Sequence, residues 1–123
     1  MSTHEHGKKV LSDLIPLGQQ LRDQIPEVYA AYGEVRKTSM AAGALDVKTK
    51  ELIALAISVA DKCDGCIASH ARGAARAGAT VEEVGEMIGV VMLMRGGPAT
   101  VYGPRALDAF LEYERSGGSD SCP

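Results

Sequence analysis

Aromatic side chains are scarce in this chain: 123 residues include no tryptophan, one phenylalanine (Phe110) and four tyrosines (Tyr29, Tyr32, Tyr102, Tyr113). Proteins that hold single-stranded nucleic acid stack bases on aromatic platforms, and the material for one is missing. Positive charge does not replace it. Thirteen basic residues against sixteen acidic ones leave a formal net charge of −3, so neither a nucleic acid nor an anionic membrane is an expected partner. No charge-free run approaches the roughly 20 residues that span a bilayer. The opening Met1-Ser2-Thr3-His4-Glu5-His6-Gly7 lacks the apolar segment of a secretory signal, which makes the cytoplasm the expected location. A glycine-rich phosphate loop and any nucleotide or flavin signature are also missing, so no cofactor is predicted.

Alternation of apolar and polar residues at period two is absent as well, which excludes a strand-based core. What is present is helical spacing. Val10, Leu11, Leu14, Leu17 and Leu21 put an apolar stripe on one face of a first helix over about 8–24, with Pro16 as a possible kink. Pro26 suits the first turn of a second helix over about 26–41, where Val28, Tyr32 and Val35 share a face. After a break at Gly43, Asp46 can cap a third helix over about 47–61. Its run Leu52-Ile53-Ala54-Leu55-Ala56-Ile57 is apolar on every side. In a domain this small, burial all round implies that a partner subunit covers one side.

A fourth helix is predicted from Cys63 or Asp64 to about Ala77, with Gly78 as its C-terminal cap. Thr80 and Glu83 form a capping box ahead of a fifth helix over about 81–95. Its run Val90-Val91-Met92-Leu93-Met94 again calls for burial on more than one face, and close packing at Gly85 and Gly89 would offset their low helix propensity. A last helix over about 99–115 follows Gly96-Gly97-Pro98. The expectation is one all-α domain, a bundle of five or six helices over 8–116, between disordered tails at 1–7 and 117–123.

Cysteine is rare and unevenly placed: Cys63, Cys66 and Cys122. An odd count cannot make a fully paired disulfide framework, and short spacing in a reducing compartment points to catalysis or metal binding. Cys63-Asp64-Gly65-Cys66 is a C-x-x-C pair that opens a helix, and His70 follows Cys66 by four residues. Positions i and i+4 share a helix face, so Cys66 and His70 can sit side by side. Unpaired N–H groups at a helix start and a nearby imidazole both favour the thiolate, which is the reactive form of the thiol. A sulfenic acid formed on either cysteine can condense with the other before over-oxidation. Glu51 shares a face with Leu55 and Ser58; by pattern alone it is a solvated first-turn carboxylate.

Together, Glu51, Cys63, Cys66 and His70 form E-x₁₁-C-x-x-C-x₃-H. This resembles the core motif of alkylhydroperoxidase D (AhpD)-like proteins within the carboxymuconolactone decarboxylase family. The likeness extends over about residues 25–110, through Leu45-Asp46 to Ser58, Ala75, Gly78-Ala79-Thr80 and Glu83. It implies an all-helical, AhpD-like fold assembled as homotrimers or homohexamers. It also implies a peroxidase in which Cys66 attacks the hydroperoxide, Cys63 resolves the sulfenic acid, and Glu51 and His70 relay protons. An external dithiol of lipoyl or thioredoxin type would be the reductant. One departure stands out: the residue before the second cysteine is a histidine in the AhpD enzymes, and here it is Gly65.

Three other functions compete. Zinc could bind Cys63, Cys66 and His70 with a fourth ligand from Cys122, His4 or His6, though no second ligand pair is spaced for it. The lactone decarboxylation that names the family has no evident need for a C-x-x-C pair. A non-catalytic redox sensor would be oxidised once without turnover. Among the remaining residues, Met87, Met92 and Met94 are expected to fill the core, Arg72 and Arg76 to form a solvated face, with an anionic partner as the alternative, and Cys122 to be a free thiol on a tail.

Overall fold

In a computed structural model, residues 5–117 are described. They form six helices: α1 (Lys8–Gln24), α2 (Pro26–Met40), α3 (Val47–Ala60), α4 (Asp64–Arg76), α5 (Val81–Arg95) and α6 (Gly97–Arg115). No strand occurs among the described residues, and no helix among them is long and apolar enough to cross a membrane. Of the expected tails, residues 1–4 and 118–123 lie outside the described residues, as does Cys122. Gly7 is buried, and the start of α1 is fastened to the far end of α6: the Lys8 backbone N–H donates to Glu112 Oε1 at 3.1 Å. That carboxylate satisfies one of the orphan N–H groups of α1, whose own N-cap residue has no side chain to do so.

Local chemistry sets the other ends. Asp46 accepts from the Thr49 N–H at 2.8 Å and caps α3. Thr80 and Glu83 complete the capping box of α5, at 2.9 and 3.1 Å. Between α3 and α4 the chain reverses through a Schellman motif. The Cys63 N–H reaches Ser58 O and the Lys62 N–H reaches Val59 O, both at 3.1 Å, with Lys62 left-handed at φ 56°. The same motif ends α4 through Gly78, at φ 85°. Proline 16 leaves α1 continuous through Gln24.

Helix α4 is the centre of the core. Its Ile67, Ala68, Ala71 and Ala74 are buried between α3, with Leu55 and Val59, and α6, with Ala106, Ala109, Phe110 and Tyr113, while α5 joins the same core by packing Val84, Ile88 and Val91 against α3 and α6. Its small side chains let neighbouring helices come close. Two expectations about packing are corrected. Gly85 and Gly89 face open space rather than a neighbouring helix; the close approach on α5 is instead made by Ile88, which packs on Gly103 of α6. Met87 packs on the core, but Met94 is 74% exposed on the open groove between α3 and α5.

Helices α1 and α2 bury no residue. Their apolar positions, among them Leu17, Leu21, Val28, Tyr32 and Val35, lie open, as do Ile53 and Ile57 of α3 and Val90 and Leu93 of α5. A groove of about 370 Å³ between α3 and α5 is lined by Ala56, Ile57, Ala60, Val90, Val91 and Met94 with Arg95. Within one chain, the all-apolar runs of the third and fifth helices are therefore covered on one side only.

Candidate redox site

The reversal after α3 delivers Cys63 to the N-cap position of α4, where its Sγ accepts the Cys66 backbone N–H at 3.2 Å. The two sulfurs are joined in a disulfide across a sequence separation of three. Their surroundings differ. Cys63 is half-buried, whereas Cys66, one step into the first turn, is exposed. The carboxylate of Asp64 lies between them in sequence and is met by Arg105 of α6 at 3.2 Å. Arg105 also stacks over Tyr102, with its guanidinium carbon 4.6 Å from the ring centroid. This pair is largely exposed and adds little to stability, but it offsets a negative charge beside the sulfurs.

One turn beyond Cys66, His70 Nδ1 lies 2.8 Å from Glu51 Oε1. Both side chains are mostly covered, 21% and 14% exposed. Glu51 is thus not the solvated carboxylate its sequence position suggested. It fits because residue 73 is glycine: a Cβ there would overlap the Glu51 carboxylate. A carboxylate oxygen only accepts, so in this pair Nδ1–H is the donor and Glu51 Oε1 the acceptor. Lys50, next to Glu51, holds the end of α2 by donating to Ser39 O and Ala41 O at 2.9 and 2.6 Å. That tether keeps α2 over the site. His70 opens onto a cavity of about 190 Å³ whose other wall is α2, through Tyr32, Val35, Arg36, Ser39 and Met40.

The four residues of the motif therefore come from two adjacent helices: Glu51 from α3, and Cys63, Cys66 and His70 from the N-cap and first two turns of α4. Among the described residues, no group of three His, Cys, Asp or Glu side chains could hold a metal ion. The sequence did not reveal that Leu14 of α1 covers Gly65, where a Cβ would stand 2.9 Å from Leu14 Cδ1. It also did not reveal Arg105, which meets Asp64 from 41 positions away. Arg72 was expected on a solvated face, yet it is only 8% exposed. Gly73 had a usable signal, since it follows His70 by three and so shares its face.

These features define an all-helical protein with a disulfide-forming pair at a helix N-terminus and a carboxylate–imidazole pair behind it. The carboxymuconolactone decarboxylase family profile matches residues 26–110, and the chain belongs to that family, the one its motif resembles. It is 43% identical over 84 residues to an uncharacterized protein of the cox locus of Paracoccus denitrificans, covering 68% of this chain and 76% of that one. It is also 36% identical over 106 residues to an uncharacterized Haemophilus influenzae protein, covering 86% and 90%. Among solved structures it is similar to a carboxymuconolactone decarboxylase family protein from Legionella pneumophila, with a TM-score of 0.82 and 37% identity over 86% of this chain and 95% of that one. A Thermotoga maritima protein superposes with a TM-score of 0.78 at 26% identity, over 89% and 96%.

Proposed function

We propose that this protein is a dithiol oxidoreductase that reduces hydroperoxides, cycling Cys63 and Cys66 between thiols and a disulfide. One arrangement carries the reading: an exposed Cys66 one turn before a half-buried Glu51–His70 pair, with Cys63 as the sulfur that caps the same helix. The Cys66 thiolate attacks the distal peroxide oxygen. The O–O bond breaks, the alkoxide takes a proton relayed through His70 and Glu51 and leaves as an alcohol, and Cys66 becomes a sulfenic acid. The Cys63 thiolate then attacks the Cys66 sulfur, forming the disulfide and releasing hydroxide, which is protonated to water. An external dithiol returns two electrons and two protons by thiol–disulfide exchange and is itself oxidised to a disulfide.

Exposure supports Cys66 as the attacking sulfur, because a substrate from solvent reaches it first. Open apolar faces on α1, α2, α3 and α5 support assembly into a homotrimer or homohexamer. The test is consumption of an organic hydroperoxide with several dithiol donors by wild type, Cys63→Ser and Cys66→Ser. Both variants are expected to lose turnover. Cys63→Ser should still consume one equivalent of peroxide and retain a sulfenic acid on Cys66 that dimedone traps. Full turnover by either variant refutes the cycle, and a dimedone adduct on Cys63 in the Cys66→Ser protein reverses the roles. Incubation with γ-carboxymuconolactone tests the decarboxylase alternative, which makes no use of the cysteine pair.

A further inference from the structure

On the side of Glu51 away from the sulfurs lies a cavity of about 240 Å³ that the redox cycle does not use. Ser69, Arg72, Gly73 and Arg76 form one wall from a single face of α4, at spacings of three and four. Glu51 and Val47 of α3 form the other wall, and Arg36 closes the cavity from α2. Arg36 is held there by its bond from Nη2 to Ser69 Oγ, 3.0 Å. Among the described residues, three guanidinium groups thus line a space whose one carboxylate, Glu51, is already engaged by His70.

Arg72 is only 8% exposed. Burying a guanidinium is costly, and such groups are retained where they are paired or bind. Each guanidinium carries five N–H donors in a planar fork, so the same group can serve a protein partner and an oxyanion together. The volume is at the small end of ligand sites, suited to one or two carboxylate groups or a phosphate.

We propose that the cavity of Arg36, Arg72 and Arg76 is a recognition site for the oxyanion of a small acidic ligand. Arg36 belongs to both this cavity and the one onto which His70 opens. A molecule anchored by its oxyanion at the arginines is therefore held next to the cavity of His70, with Arg36 as the shared wall. Resting on the function proposed above, this makes the preferred hydroperoxide an acidic one. The binding itself is independent of that reading.

Calorimetric titration of the wild-type protein with malonate and with inorganic phosphate, at constant ionic strength, tests the site directly. Saturable binding of one anion per chain is expected, and the tighter of the two identifies carboxylate or phosphate as the group recognised. Arg36→Gln and Arg76→Gln alter exposed positions that the core does not need, and each should weaken binding at least tenfold. Arg72→Lys keeps the charge, loses the fork and should weaken it as well. No saturable binding to wild type, or equal binding by all variants, overturns the proposal. In the peroxide assay, the ratio of kcat/KM for a carboxylate-bearing over a neutral hydroperoxide should fall at least tenfold in Arg36→Gln. An unchanged ratio overturns the substrate assignment, while turnover of no hydroperoxide at all is the failure of the proposed function and leaves the titration to decide the site.

Discussion

Replacing Gly73 by alanine should destabilise this protein although helix propensity says the opposite. In a helix interior, glycine to alanine is worth about 1 kcal/mol in favour of alanine. At position 73 the new Cβ would overlap the Glu51 carboxylate. Helix α4 is packed between α3 and α6, so the end of the glutamate, rather than the helix, must give way and swing from His70. The hydrogen bond lost has an ionised partner, and such bonds contribute about 1.5–3 kcal/mol. Setting that against the helix gain leaves a net loss of about 0.5–2 kcal/mol.

The sign should reverse when the obstacle is gone. In a Glu51→Ala background the Gly73→Ala change should stabilise by up to about 1 kcal/mol. Denaturant unfolding of the four proteins at one protein concentration reads both values, and their difference is the coupling between the two sites. The reaction of Cys66 with peroxide should slow at least tenfold in Gly73→Ala, since positioned acid–base groups contribute about 10²–10⁴-fold. If Gly73→Ala stabilises the wild type as much as it stabilises the Glu51→Ala protein, the carboxylate does not depend on the glycine and the reasoning fails.

Gly65→His, which restores the residue typical of the AhpD enzymes, should push Leu14 aside and speed hydrogen exchange in α1, because the room for its Cβ is 2.9 Å from Leu14 Cδ1; adding Leu14→Ala should return exchange in the rest of α1 toward wild type. The Lys48 ammonium, followed by the Thr80 backbone N–H, holds the Glu83 carboxyl below its ordinary value of 4.5. Its lowered folded value means that it stabilises above that pH, and that the effect is lost as pH falls through the folded value. Glu83→Gln should therefore lower stability at neutral pH, with the gap to wild type closing in acid titrations below 4.5. Light scattering should give a trimer or hexamer, and charging the open apolar face with Ile57→Glu and Leu93→Glu, 56% and 82% exposed in one chain, should dissociate it; an oligomer unaffected by both would place the interface elsewhere.

The helices were legible because their signals are local. Asp46, the Thr80–Glu83 box and Gly78 fix ends within a few residues of themselves, and the observed bounds of α1 and α5 coincide with those expected. What resisted reading depends on neighbours distant in sequence. Glu51 looked solvated because nothing within a turn of it announces His70, nineteen positions away. Arg72 looked solvated because a guanidinium i, i+4 from another one is common on open faces, and nothing local announces that it lines a cavity with Val47 and Glu51 of α3 and Arg36 of α2. Gly85 and Gly89 looked like packing sites because a small residue is compatible with close approach without requiring it, and Gly103 on the facing helix took that role.

The unequal burial of the two sulfurs gives the proposed cycle a direction in both of its halves. In the oxidising half, a hydroperoxide arriving from solvent meets exposed Cys66, one turn from the Glu51–His70 pair. In the reducing half, an incoming thiolate also meets Cys66, and the sulfur it displaces is Cys63. That sulfur leaves as an anion at a helix N-cap, already accepting the Cys66 N–H, and a stabilised anion leaves faster. Were Cys63 the attacking sulfur, the exposed partner would be the leaving group and would gain nothing from the cap. Leu14 over Gly65 reinforces the asymmetry: it covers the turn between the two sulfurs with an apolar side chain, so approach to the pair is from the Cys66 side. Opening that turn with Leu14→Ala should therefore raise the rate at which a bulky dithiol reduces the disulfide more than it raises the rate for a small one. Equal acceleration of both, followed by thiol release under pseudo-first-order conditions, would show that Leu14 does not guard the approach.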